Sequence, residues 1–179
     1  MLLNLLRWHM LYIKPCWEKK VLKLLTQKKI ENFYPLYEVY PQNNSTKTEP
    51  LFKSYIFVLI SHEDLFEIKK INGVINFVYW QDKPVVIPEE EIHVIKKVLP
   101  HITHIQIKRA PVHINNHVKI INGHLIEYQG NSGSFKSRRV KILLPTLGWI
   151  LMGEAGNIEE IELKLSIKII DNDRFNVSV

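Results

Sequence analysis

Two short runs of alternating side chains carry the first chemical signal in this chain. They are Met10-Leu11-Tyr12-Ile13 and Lys53-Ser54-Tyr55-Ile56-Phe57-Val58. Side chains alternate across a strand, so Met10 and Tyr12 share one face and Tyr55 and Phe57 share one face. The complementary set, Leu11, Ile13, Ile56, Val58 and Ile60, is aliphatic and suits packing beneath helices. The aromatic set is thereby left on an open face, where flat apolar surface binds by stacking and shape rather than by making or breaking bonds. A second group is cationic. Lys19, Lys20 and Lys23 recur at helical spacing, and Lys136, Arg138 and Arg139 follow Gly130-Asn131-Ser132-Gly133. Both sets suit phosphate, and both also suit a plain solvated helix face and hairpin tip.

Bond-making chemistry finds no comparable pattern. There is no nucleophile elbow, no phosphate loop ahead of a helix and no carboxylate pair framed by other catalytic groups, so neither catalysis nor a cofactor is expected. Five of the eight histidines fall between His101 and His124. His101-x-x-His104 and His113-x-x-x-His117 have zinc-like spacing, but no cysteine or paired carboxylate stands near them. Solvated histidines that gain charge below about pH 6.5 are the expectation instead of a metal site. Cys16 is the single cysteine and cannot close an internal disulfide, which points to a reducing compartment, the cytoplasm. Met1 to Leu6 is apolar but short, and Arg7 follows it, the wrong order for a signal peptide. No window approaches the roughly 18 apolar residues of a spanning helix, so a soluble protein without a membrane partner is expected.

The 179 residues bound the chain to one medium domain or two small ones. Trp8 to Lys14 reads as a strand ending at Pro15, followed by an amphipathic helix with Trp17, Val21, Leu24 and Leu25 on one side and Lys19, Lys20, Lys23 and Lys28 on the other. Phe33 to Tyr40 is a second strand, Pro41 to Pro50 a projecting loop, and Leu51 to Ile60 a third strand. Ser61 with Asp64 suits a helix start, and Asn72-Gly73 its stop. Val74 to Tyr79 is a fourth strand, and Pro88 with Glu89, Glu90 and Glu91 opens a third helix. The order is βαββαβα, a unit that sets its first and third strands side by side.

Pro100 to Pro111 has neither period nor turn signature, and the boundary is expected there: one domain over 1–100, a linker over 101–112 and a second domain over 113–179. Short strands at His117 to Ile121, Val140 to Leu144, Trp149 to Met152 and Ile161 to Ile169 make that second domain a small antiparallel β-barrel. The fold class is therefore α+β, an RNP-like sandwich followed by a barrel. Net charge is +3 over 1–100, +6 over 101–141 and −3 over 142–179. The basic middle and acidic end make nucleic acid an expected partner, and they equally suit a solvated linker and hairpin tip.

Three readings compete for the open aromatic face. One is an RNA recognition motif, whose third strand reads [K/R]-G-[F/Y]-[G/A]-F-V. Lys53, Tyr55, Phe57 and Val58 fit, whereas Ser54 and Ile56 replace its small residues. The second is a depression that docks an apolar helical surface of a protein. The third is that the linker or the second domain covers the patch.

Here the sequence resembles a known family. Trp8-His9-Met10-Leu11-Tyr12, Glu18-Lys19-Lys20-Val21, Pro50-Leu51-Phe52-Lys53-Ser54-Tyr55-Ile56-Phe57-Val58 and Gly73-Val74-Ile75-Asn76-Phe77-Val78 are similar, in this order, to the N-terminal domain of NusG-type transcription elongation factors. His117-Val118-Lys119-Ile120-Ile121-Asn122-Gly123, with Gly130 beyond it, is similar to the KOW motif that follows in that family. Where the family usually reads Phe-Pro-Gly-Tyr, this chain has Phe52-Lys53-Ser54-Tyr55. Its KOW segment has Asn116, His124 and Glu127 where Gly, Pro and Gly are usual. These departures suggest a divergent, specialised paralogue, and Glu49-Pro50-Leu51-Phe52 looks closer to RfaH-like antiterminators. The resemblance implies that Tyr12, Phe52, Tyr55 and Phe57 dock on the clamp helices of RNA polymerase and that the bound factor suppresses pausing or termination, at selected operons in a specialised member. It also implies a second partner for the KOW domain, either Rho or a ribosomal protein.

Overall fold

The computed structural model describes residues 5–39, 47–109, 119–127 and 136–155, of which 119–127 and 136–139 are described by backbone alone. The chain divides into two compact units, Met1–Leu36 with Glu49–Ile92 and Tyr37–Thr48 with His93–Val179.

The first unit is built on one antiparallel sheet. Its strands are β1 (Arg7–Ile13), β2 (Glu31–Phe33), β5 (Tyr55–Ile60) and β6 (Val74–Phe77), in the order β2-β5-β1-β6, and the short strand β9 (Val86–Ile87) also pairs with β1. That is the order a βαββαβ chain produces, and it sets β1 against β5 at the centre as the sequence implies. Two helices, α1 (Glu18–Gln27) and α2 (Leu65–Lys69), supply the second layer. Leu11, Ile13, Ile56, Val58 and Ile60 from the sheet pack with Val21, Leu25 and Ile68 from the helices into one buried cluster. At about 1.5–3 kcal/mol per fully buried aliphatic side chain, this cluster is the main favourable term for the unit.

The helix ends are local chemistry. Beyond Gln27, Lys29 turns into the left-handed region (φ 58), and its N–H donates to the Thr26 carbonyl while the Ile30 N–H donates to the Leu25 carbonyl. This is a Schellman closure in which lysine occupies the usual glycine position. Ahead of α2, both the N–H and the hydroxyl of Ser61 donate to the Asp64 carboxylate, at 3.1 and 2.6 Å. The Ser61–Asp64 pair thus shapes the entry to α2, which begins at Leu65. Gly73 (φ 101) follows α2 where a Cβ would stand 2.7 Å from both the Trp17 ring and the Val21 side chain.

Several elements differ from the sequence expectation. The strand expected over Phe33 to Tyr40 is two strands broken at Tyr34-Pro35: β2 in the main sheet, and β3 (Leu36–Val39), which pairs with β4 (Lys47–Pro50) inside the expected loop. Proline offers no N–H for the ladder, so the chain leaves the sheet there. The third strand begins at Tyr55 rather than Leu51, because Leu51 to Ser54 form a turn closed by Tyr55 N–H on the Phe52 carbonyl. Ser54 sits at φ 64 in that turn. Its carbonyl accepts the Ile13 N–H at 3.0 Å, which anchors the turn to the end of β1. After β6, a small arm of β7 (Tyr79–Trp80) and β8 (Lys83–Pro84) projects before β9. The third helix, α3 (Glu89–Val98), opens after Pro88 as expected.

The second unit holds a four-stranded antiparallel sheet of order β10-β13-β12-β11, with β10 (Ile102–Arg109), β11 (Lys119–Glu127), β12 (Lys136–Leu144) and β13 (Trp149–Ala155). Val140, Ile142, Leu144, Leu151 and Ala155 are buried in it. The stretch expected as a linker is thus largely a strand. Its alternation is hidden by a register shift between Thr103 and Gln106, where His104 takes φ 50. The strand expected over Ile161 to Ile169 and the linker end at 110–112 lie outside the described residues.

Candidate docking face

Tyr12 and Tyr55 are directly opposite each other in the β1–β5 ladder, and their ring centroids are 5.3 Å apart with the planes inclined at 37°. Tyr12 is 38% exposed and Tyr55 is half-buried. Two residues along β5, Phe57 points to the same face but has no exposed surface. It is flanked by Phe33 of β2, stacked at 5.9 Å, and by Phe52 of the turn, edge-on at 5.8 Å. Phe52 itself is buried.

Tyr12 thus pairs with Tyr55 and Phe52 with Phe57, and Tyr55 and Phe57 share one face of β5. The expectation that the whole aromatic set lies open is corrected: Met10, Phe52 and Phe57 are buried, and the two tyrosines form the accessible part. A strand's alternation assigns a face to a side chain but cannot say what covers that face. Phe33 was missed altogether, although its register with Phe57 follows once β2 is ended at Pro35.

The expected cationic residues fall into separate units. Lys19, Lys20 and Lys23 are exposed on α1, and the Lys20 ammonium lies 4.2 Å from the centroid of Trp17, with that of Lys14 at 5.3 Å. Lys136, Arg138 and Arg139 lie on β12 of the second unit, where Arg138 is in register with Ala155 and Arg139 with Glu154. Another aromatic and lysine pairing runs along α2: Lys70 stacks on Phe66 at 4.0 Å, and Lys69 both covers and donates to Tyr79. Trp80 on the neighbouring arm is 73% exposed.

A lone histidine in a strand carries no motif, so the sequence alone assigns His9 no role. It is buried, and its Nδ1 lies 2.9 Å from the Val85 carbonyl oxygen, with Phe77 edge-on to its ring at 5.8 Å. Burial holds its pKa below the ordinary value, and Arg7 and His62 act in the same direction. Tyr34, packed against the core cluster, is pushed up to about 12, first by burial and then by Glu18. Among the described residues no group of three or more His, Cys, Asp or Glu converges as a metal site, and no helix is long and apolar enough to cross a membrane. His113 and His117 lie outside the described residues.

Fold and face together define an RNP-like α+β sandwich, with an aromatic pair on its central strands, followed by a small antiparallel β-sheet. A family model described as NusG, transcription termination factor nusG, matches residues 6–96, which is half of the chain and contains all four aromatic positions. The chain belongs to the NusG family, whose members are transcription factors rather than enzymes. Among solved structures it is similar to a chain titled "Domain interaction in Thermotoga maritima NusG", with 17% identity, a TM-score of 0.43, and coverage of 83% of this chain and 92% of that one. No curated protein matches it.

Proposed function

We propose that this transcription factor binds RNA polymerase in the cytoplasm through the Tyr12–Tyr55 pair and suppresses pausing or termination, at selected operons. The observation that carries this reading is the pair itself: two amphipathic rings held in register on the two central strands, with the buried Phe57 and Phe52 and the half-buried Phe33 packed together beside them. Rings already immobilised lose little entropy when a partner covers them, and Tyr is enriched among residues that dominate binding energy. The partner surface on this reading is the clamp helices, which would meet Tyr12 and Tyr55 directly and Phe52 and Phe57 through the shape they impose.

The KOW-like unit would engage a second partner, Rho or a ribosomal protein. The α1 lysines with Trp17, and the basic residues of β12, would contact non-template DNA or RNA. The departures at Ser54, His124 and Glu127 support a specialised role over a general one.

Binding of the full-length chain to purified RNA polymerase tests the reading, with Tyr12→Ala and Tyr55→Ala alongside wild type and with a single-stranded RNA as the competing ligand. Loss of polymerase binding with unchanged RNA affinity is the expected result. Retained polymerase binding with RNA affinity weakened by about 1–3 kcal/mol per stacked base would replace it with an RNA-binding module.

A further inference from the structure

The turn ahead of β5 brings one charge to the tyrosine pair. Its closing bond, from the Tyr55 N–H to the Phe52 carbonyl at 3.3 Å, spans four residues, and of the two at its corner only Ser54 has a positive φ. That combination is a type II turn, which favours proline where Lys53 stands and glycine where Ser54 stands. Neither is present, although the turn is well anchored: Leu51 and Phe52 are buried before the corner, and the Ser54 carbonyl accepts the Ile13 N–H after it. Local geometry therefore does not call for lysine at the corner. The Lys53 side chain is exposed, and among the described residues its ammonium holds no ion pair or hydrogen bond. It stands two residues before Tyr55, just beyond the Tyr12–Tyr55 pair in the β1–β5 ladder. Lys14, the other cation at this end of β1, lies 5.3 Å from the Trp17 ring centroid.

We propose that Lys53 sets the specificity of the docking face by selecting a partner protein surface that places a carboxylate beside the apolar ridge covering Tyr12 and Tyr55. The inference rests on the docking reading of that pair and adds the chemistry of the partner. An ammonium on an anchored turn next to two flat rings is a point charge at the rim of an apolar patch, where it attracts an opposite charge during approach and repels a like one. A folded protein surface fits this arrangement better than a nucleic-acid strand, because a strand needs a track of cations for its phosphates and open rings for its bases. Here Lys14 is turned to Trp17, Tyr55 is half-buried, and the two tyrosine rings pack on each other, which leaves one charge and one shared aromatic surface.

Association rates and affinities of the full-length protein for purified RNA polymerase, measured at low and at high salt, test the assignment. Lys53→Pro supplies the residue the turn favours while removing the charge, Lys53→Glu reverses the charge, and Tyr12→Ala reports on the docking face itself. At low salt, affinity should fall about threefold in Lys53→Pro and about tenfold or more in Lys53→Glu, chiefly through slower association, and both should approach wild type at high salt. The denaturant midpoint of Lys53→Pro should be no lower than that of wild type, which separates lost binding from lost folding; if it is lower, Lys53→Gln takes its place in the binding series. Should Tyr12→Ala bind as wild type does, the docking reading falls and this inference with it. Should Tyr12→Ala lose binding while Lys53→Glu binds as tightly as wild type, or weakens equally at every salt concentration, the carboxylate alone is overturned. A Lys53→Glu protein that keeps its polymerase affinity but loses affinity for single-stranded RNA or DNA would assign the lysine to phosphate instead.

Discussion

Tyr12 and Tyr55 face each other across the two central strands with ring centroids 5.3 Å apart, and only one step further along β5 the side chain of Phe57 is wholly buried. Recognition and support are therefore adjacent but separable. Tyr12→Ala should weaken binding to RNA polymerase tenfold or more, the cost of losing about 1.4 kcal/mol or more at a binding hot spot, while leaving thermal unfolding nearly unchanged.

Phe57→Ala should do the reverse at first measurement. Removing a fully buried ring that stacks on Phe33 and meets Phe52 edge-on should cost about 3–5 kcal/mol in denaturant unfolding. Any loss of polymerase binding should then track the unfolded fraction rather than the folded protein's affinity.

Two left-handed residues are open to improvement. Ser54 at φ 64 and Lys29 at φ 58 hold conformations that favour glycine. Ser54→Gly and Lys29→Gly should each raise stability, by about 0.5–1 kcal/mol, read as a higher denaturant midpoint at constant slope. A lower midpoint for Ser54→Gly would mean that its side chain, not its backbone, matters in the turn.

Gly73 is the opposite case. At φ 101 and with a Cβ position 2.7 Å from Trp17 and Val21, it admits no side chain without moving α1. Gly73→Ala should destabilise by more than about 2 kcal/mol in the same unfolding measurement, through strain and overpacking together.

Tyr34 predicts an alkaline limit. Its hydroxyl is pushed up to about 12 in the folded state against about 10 when unfolded, so the folded state is favoured while the ring stays neutral. That contribution is complete below pH 10 and is lost as pH rises towards 12. Ultraviolet titration should show one tyrosine ionising last, and Tyr34→Phe should shift the alkaline unfolding midpoint upward.

Much of the fold could be read from single residues. Leu11, Ile13, Ile56 and Val58 alternate without a break, and the buried cluster uses all four. Pro88 and the three glutamates after it marked α3. The misreadings have local causes. Pro35 divides a hydrophobic run that looks continuous, and the register shift after Thr103 removes the period by which β10 would be recognised. Tyr12, Tyr55 and Phe57 were legible on the two central strands from alternation and strand order, whereas Phe52, in the turn before β5, entered only through the family resemblance. Their differing exposure was not legible, since burial depends on residues distant in sequence. His9 illustrates the same limit: its hydrogen-bond partner is 76 residues away.

The sharing of β1 among β5, β6 and β9 also shapes how the chain is born. β1 leaves a ribosome before any of its partners, which follow at residues 55–60, 74–77 and 86–87. At about 5–20 residues per second, Trp8 to Ile13 waits several seconds as an unpaired, aromatic and branched strand. Synthesis rate between residues 13 and 60 thus becomes a determinant of yield, and slow codons in that interval would lengthen the exposure of a segment prone to pairing with other nascent chains.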